Sequence, residues 1–137
     1  MNTQPDLARA VAVAREVDLS TFGRATGRPS RRTVWITTDA FGRIHIRSGQ
    51  GLARDWPRNL LANPRAVLHI KGRDIAVWAR HVTDRAELRE SHAALAQKYG
   101  WKLPASQPGE ALTLPEHATF ELTPVELSDA LAAAPGG

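Results

Sequence analysis

Four arginines fall between positions 24 and 32, at 24, 28, 31 and 32, interleaved with Thr26 and with Gly23 and Gly27. Guanidinium groups are permanently charged forks that hold phosphates and carboxylates through paired hydrogen bonds. Glycines let backbone N–H groups approach a ligand closely. The segment therefore has the makings of an anion cradle, with Arg24, Thr26, Gly27, Arg31, Arg32 and the adjoining Thr33 as candidate contacts. A disordered basic loop is the competing reading. No Gly-Lys-Ser/Thr follows, which excludes a Walker A loop, and the segment precedes a strand instead of opening a helix after one, which excludes a Rossmann fingerprint.

A second group is Arg47-Ser48-Gly49-Gln50-Gly51, continuing to Arg54. Ser48 and Gln50 can hydrogen-bond a ring edge or a phosphate, and Gly49 permits close approach; an ordinary strand-to-helix turn is the alternative. Ile46 stands where a nucleophile elbow requires glycine, so Ser48 is not that kind of serine. A third group, Trp56 and Asn59 on the short segment 55–62, can line a cleft or simply pack. The five histidines show no zinc-ligand spacing, although His45 and Arg47 share one strand face and can border a pocket. No carboxylate pair suits acid–base hydrolysis, and the chain has no cysteine, which removes thiolate metal sites, disulfides and a cysteine nucleophile. No catalytic residue and no metal ligand is assigned. What is left is chemistry carried by a bound cofactor, with the protein supplying charge and orientation.

The elements that must hold these groups are legible from periodicity. Leu7, Ala10, Val11, Ala14 and Val17 recur at helical spacing and give a helix over 4–17; residues 21–32 read as a loop. Alternation gives strands at 33–38 and 43–48 around an Asp39–Gly42 turn, with Trp35 and Arg47 directed away from the shared core. Asp55 as N-cap, Pro57 in the first turn and Asn63-Pro64 as a stop give a helix at 55–62. Strands follow at 65–71 and 74–82 around Gly72-Arg73. Asp84 and Glu87 form a capping box for a helix that buries Leu88, His92, Leu95, Ala96 and Tyr99 and ends at Gly100. Residues 101–116 read as a loop, 117–122 as a last strand, and 128–137 as a fraying tail. Hairpins with interposed helices indicate a mainly antiparallel sheet that curls and closes.

The chain has 137 residues, which suits one domain, taken as 1–127 with the barrel and cofactor site in 20–123. Its formal charge is +4, carried almost wholly by arginine. No apolar run approaches the roughly 20 residues of a membrane span and the start lacks a secretory pattern, so a cytoplasmic protein without membrane association is expected.

Taken together, Thr21-Phe-Gly-Arg-Ala-Thr-Gly-Arg-Pro, the strand bearing Trp35, Arg47-Ser-Gly-Gln-Gly and Trp56-Pro-Arg-Asn-Leu-Leu-Ala-Asn-Pro64 resemble the deazaflavin-dependent nitroreductase family. That family belongs to the split β-barrel flavin and deazaflavin oxidoreductases, which include the pyridoxamine-phosphate-oxidase-like proteins. The resemblance implies a mainly β chain with flanking helices, built on a six-stranded antiparallel split barrel, and coenzyme F420 as hydride carrier for a small organic acceptor. It further implies that Arg24, Thr26, Gly27 and Arg32 address the phosphate-bearing tail, that Trp35 and the 47–51 segment approach the ring, that Trp56 and Asn59 close the cleft, and that the protein is a homodimer. FMN in place of F420 is the alternative cofactor. A non-enzymatic carrier, or a nucleic-acid binder using Trp35, Trp56 and Trp78 for stacking, ranks last, because no RNP or helix-turn-helix signature is present.

Overall fold

The structure, a computed structural model, describes residues 4–102 and 104–125; the tail expected to fray, 128–137, lies outside the described residues. Helix α1 (Gln4–Val13) buries Leu7 and Val11 and stops before the expected position 17. Val17 continues the helical spacing in sequence, but its side chain belongs to a different pattern. Val17, Leu19 and Thr21 are buried on one face of strand β1 (Val17–Phe22). The expected loop at 21–32 is consequently a hairpin. β1 pairs antiparallel with β2 (Pro29–Val34), in register Leu19↔Arg32 and Thr21↔Ser30. β2 is polar because it ends the sheet order, where charged residues and a leading proline are suited to a strand with one unpaired side.

β3 (Ile36–Thr38) and β4 (Ile44–Arg47) form the expected hairpin, although the strand foreseen at 33–38 is broken at Trp35. A single 3-10 turn (Gly51–Ala53) leads into α2 (Asp55–Ala62), for which Arg54, not Asp55, is the N-cap. β5 (Arg65–Ile70) and β6 (Arg73–His81) form a second hairpin through Lys71-Gly72. α3 (Arg85–Tyr99) is capped by Asp84, whose carboxylate accepts from the Glu87 N–H at 2.9 Å, and is closed by Gly100 in the left-handed region at φ 70°. The Glu87 side chain does not complete the box; it turns toward β4. The expected loop at 101–116 contains a short helix α4 (Leu114–His117), started by a capping box between Thr113 and Glu116, and β7 runs Thr119–Pro124.

Among the described residues the sheet has seven antiparallel strands, one more than the resemblance implies, in the order β2-β1-β5-β6-β7-β4-β3. Its two end strands, β2 and β3, are separated in sequence by Trp35 alone. Consecutive Cα atoms are about 3.8 Å apart, so strands at opposite ends of the order can follow one another directly only if the sheet has rolled until its edges meet. The result is a split barrel with its seam at Trp35. Leu19, Ile36, Ile44, Ile46, Leu68, Phe120 and Leu122 fill its interior.

At the seam the strands do not pair, so the backbone groups there need other partners. The last turn of α3 provides them. The Tyr99 hydroxyl accepts from the Ile36 N–H at 3.2 Å and donates to the Arg15 carbonyl at 2.6 Å. The Lys98 ammonium donates to the Val11 and Ile36 carbonyls, both at 2.7 Å. The Trp35 ring stacks on Tyr99 with centroids 4.3 Å apart and planes 9° from parallel.

Candidate functional site

β4 is buried on both faces. Ile44 and Ile46 point into the barrel, while His45 and Arg47 point outward and are covered by α3. His45 does not border a pocket as expected; it is 1% exposed, and its Nε2 lies 2.8 Å from the Glu87 carboxylate. Glu87 also receives Arg80 at 2.6 Å and lies 3.4 Å from Arg43, which in turn donates to Asp39 at 2.7 Å. Burial alone would raise the Glu87 carboxyl, but hydrogen bonds from His45 and Arg80 outweigh it and hold it below its usual range. This is a charge-compensated network that fastens α3 to the barrel.

Arg47, one residue further along the same outer face, has no such compensation. Its Nε donates to the Thr119 hydroxyl at 2.8 Å and its Nη2 to the Leu88 carbonyl at 3.1 Å. Among the described residues it forms no ion pair. Burial depresses its pKa to about 10, only partly offset by the more distant Glu116, so the group is charged at neutral pH in a desolvated position.

Beside Arg47 opens a cleft of about 300 Å³, set at the barrel seam. Thr33, Val34 and Trp35 form one wall; Arg47, Ser48, Gly49 and Gln50 form the other; Arg54, Trp56 and Trp101 close its ends. Eight of the fourteen cofactor-contact residues inferred from sequence thus line one cavity: Thr33, Trp35, Arg47, Ser48, Gly49, Gln50, Arg54 and Trp56. Ser48 and Trp56 are buried, whereas Gln50 and Arg54 are exposed. The Thr33 hydroxyl donates to the Asp18 carboxylate at 2.8 Å. Arg54 has no ion pair or side-chain hydrogen bond among the described residues.

The other six are placed differently. Arg24 donates to the Asn59 side-chain oxygen at 2.8 Å and to Asp55 at 3.3 Å, and Asn59 donates to the Thr21 hydroxyl at 3.2 Å. Asn59 is therefore buried as a strut between α2 and the β1–β2 loop. Thr26 and Gly27 build that loop: the Thr26 hydroxyl accepts from the Arg28 N–H, and Gly27 takes φ 73° while donating to the Gly23 carbonyl at 2.7 Å. Gly27 borders a separate groove on the far side, with Arg65 and Trp78. Trp56 is buried in the cleft end and Trp78 lies in that other groove, so the three tryptophans considered for base stacking do not share a surface. Arg32 shares the β2 face of Val34, is exposed, and donates to the Arg31 carbonyl at 2.9 Å without lining the cleft. Arg31 takes the opposite face and pairs with Asp18 at 2.8 Å. Ser20, His69 and Asp74 are linked in series by two 2.7 Å contacts, an order familiar from serine hydrolases. Ser20, however, lies mid-strand between β2 and β5, where the ladders use the backbone N–H groups an oxyanion would need.

Sequence reasoning missed Trp101, because it falls in the expected loop after α3. It packs beside Gly49, where a Cβ would make an ordinary contact 3.4 Å from the indole. The Trp101 ring meets Trp35 edge-on, at 6.1 Å between centroids and 73° between planes. Gly51 is far more tightly constrained, since it takes φ 62° and a Cβ there would lie 2.8 Å from the Leu114 carbonyl oxygen.

Residues 3–105 match the family model described as F420H(2)-dependent quinone reductase. The chain belongs to that family. The F420H(2)-dependent quinone reductases are an enzyme family named for reduced F420, so the chain is an F420-dependent oxidoreductase at that coarse level. No curated protein matches the chain. Many solved structures share the fold, three of them as follows. A candidate pyridoxamine 5'-phosphate oxidase from Listeria innocua is 11% identical, with 91% of this chain and 95% of that one covered at a TM-score of 0.63. HutZ, the heme storage protein from Vibrio cholerae, is 16% identical, with 92% of each chain covered at 0.62. A candidate 5-nitroimidazole antibiotic resistance protein from Bacteroides thetaiotaomicron is 9% identical, with 92% and 82% covered at 0.64. At such identities these likenesses concern architecture, and they place the F420H(2)-dependent quinone reductase chain among split-barrel proteins.

The cleft suits the group the family name implies. Its lining holds two guanidiniums, three indoles and no carboxylate, a composition compatible with an anionic, planar group. Among the described residues no helix is long and apolar enough to cross a membrane, and no group of three or more acidic, histidine or cysteine side chains could hold a metal ion.

Proposed function

We propose that the chain holds reduced F420 in the seam cleft and passes two electrons, as hydride, to a small quinone-type acceptor. The carrying observation is the cleft itself: an anionic, planar coenzyme has a matching cation-rich, tryptophan-walled cavity at the one place where the rolled sheet fails to pair. When bound, the deazaflavin supplies the hydride chemistry, so the protein needs no nucleophile. Arg54, Arg24 and Arg32 serve as partners for the phosphorylated acidic tail. Trp35, braced by Tyr99, and Trp101, seated on Gly49, supply flat apolar walls that exclude water from the ring. Ser48, Gln50 and the backbone around Gly49 offer hydrogen bonds to its edge.

A homodimer is part of this proposal. One similar fold, 15% identical over 88% of this chain at a TM-score of 0.57, is described as a domain-swapped dimer. The test is direct: anaerobic mixing of the purified protein with reduced F420 and a benzoquinone or naphthoquinone, followed by the reappearance of oxidised-coenzyme fluorescence. Turnover dependent on both protein and quinone is the expected result; turnover with FMN alone would give the site to the other cofactor.

A further inference from the structure

A second cavity of about 270 Å³ opens from the far side of Arg47. It shares Arg47, Gly49 and Trp101 with the seam cleft, and the rest of its wall includes His92, Pro104, Leu114 and Pro115. The wall is largely apolar, and no carboxylate lines it. Arg85 fixes the loop that encloses it, donating to the Gln107 and Glu110 carbonyls at 3.2 and 2.8 Å. The Glu116 carboxylate, which acts on Arg47 from a distance, is occupied by the Ser106 and Thr113 N–H groups and by the Ser106 hydroxyl.

Arg47 is 6% exposed, and two of its three nitrogens are engaged by neutral oxygens. The third nitrogen, Nη1, has no partner among the described residues, and Arg47 is part of the wall of both cavities. A buried guanidinium normally has a carboxylate against it, since an uncompensated charge in a desolvated position is costly. Neither of the two cavities that Arg47 lines has a carboxylate in its wall. Burial and the nearby Arg47 together hold His92 below the usual histidine range, so the imidazole across the pocket is neutral at physiological pH and does not compete for an anion.

We propose that this second cavity is the acceptor pocket and that Arg47, at its junction with the seam cleft, selects flat aromatic acceptors carrying an ionised oxygen, such as a hydroxyquinone. The apolar body packs against Trp101, Pro104, Leu114 and Pro115, and the oxyanion completes the hydrogen bonding of Arg47. This deepens the coenzyme reading above and rests on it for the word acceptor, but the binding claim stands on this pocket alone.

The test is calorimetric titration of the purified protein, with and without F420, using 2-hydroxy-1,4-naphthoquinone, ionised at neutral pH, against its uncharged methyl ether. One charge-assisted hydrogen bond corresponds to a preference of about tenfold or more for the ionised compound. Arg47→Met should remove that preference. Leu114→Trp, at an exposed rim position that leaves Arg47 in place, should block both compounds even if the Met variant does not fold. Equal binding of the two quinones to the natural protein overturns the proposal, as does a preference that survives Arg47→Met or binding unaffected by Leu114→Trp. A preference found in a protein that fails to bind F420 upholds the pocket and removes the coenzyme reading instead.

Discussion

His45 and Arg47 stand two residues apart on the same outward face of β4, both beneath α3, yet they are treated in opposite ways. His45 is enclosed by Glu87, Arg80, Arg43 and Asp39, a set in which each charge meets its opposite. Arg47 receives only a hydroxyl and a carbonyl, and it borders two cavities. Burial alone therefore does not separate structural from functional polar groups; compensation does. The closed network costs little once formed and fixes α3 on the barrel, whereas the open cation is a cost that a ligand can remove.

The sharpest way to break this comparison is to uncompensate the closed side. Glu87→Ala strips the buried His45 of its hydrogen-bond partner, while Arg43 keeps Asp39 and Arg80 keeps Glu121, and should destabilise the fold by about 1–3 kcal/mol. Urea unfolding measures it; a loss confined to a few tenths would mean the network is ornamental. On the open side, Arg54→Ala should leave stability within about 0.5 kcal/mol, because Arg54 has no partner to lose, yet weaken F420 binding by roughly 1.5–3 kcal/mol. Equal losses of stability and affinity would erase the distinction drawn here.

How much of this was legible beforehand follows from the same contrast. Where one face is apolar and the other polar, the pattern is readable: α2 with Trp56 and Leu60, β5 with Ala66, Leu68 and Ile70, and the β3–β4 turn. Val17 misled because it fits both the spacing of α1 and the alternation of β1, and only tertiary burial decides between them. β2 carries Pro-Ser-Arg-Arg-Thr, which has no apolar alternation to read, because an edge strand does not require one. The α4 capping box was visible as Thr113-x-x-Glu116 but was masked by the surrounding prolines. Trp35, Arg47 to Gln50, Arg54 and Trp56, named from residue type and from the family resemblance, line the seam cleft. Trp101 and Leu114 were missed because the roles of these residues exist only once the barrel has rolled. Arg31 pairs with Asp18 on the face of β2 opposite Arg32, because a one-residue step along a strand changes the face.

Two smaller effects refine the seam. Trp35→Leu keeps an apolar side chain but loses the stack on Tyr99, which is worth about 0.5–1.5 kcal/mol beyond area; both unfolding and coenzyme affinity should register it. Lys98, its pKa lowered to about 8 mainly by burial and further by Arg15, gives the smallest signal. Between pH 8 and its ordinary value of 10.5 the unfolded chain binds more protons than the folded one, so this group makes stability rise with pH across that window. Unfolding between pH 8 and 10 should show a positive slope that Lys98→Met reduces; an unchanged slope would remove Lys98 from the account of the seam.

The most direct measurement is a fluorescence titration of F420 with the purified protein and with its Arg54→Ala variant, at low and at high salt. Saturable binding that weakens with salt and weakens again on loss of Arg54 is the expected outcome. An unchanged coenzyme signal at tens of micromolar protein, or binding indifferent to that arginine, would contradict the assignment of the seam cleft to an anionic redox coenzyme.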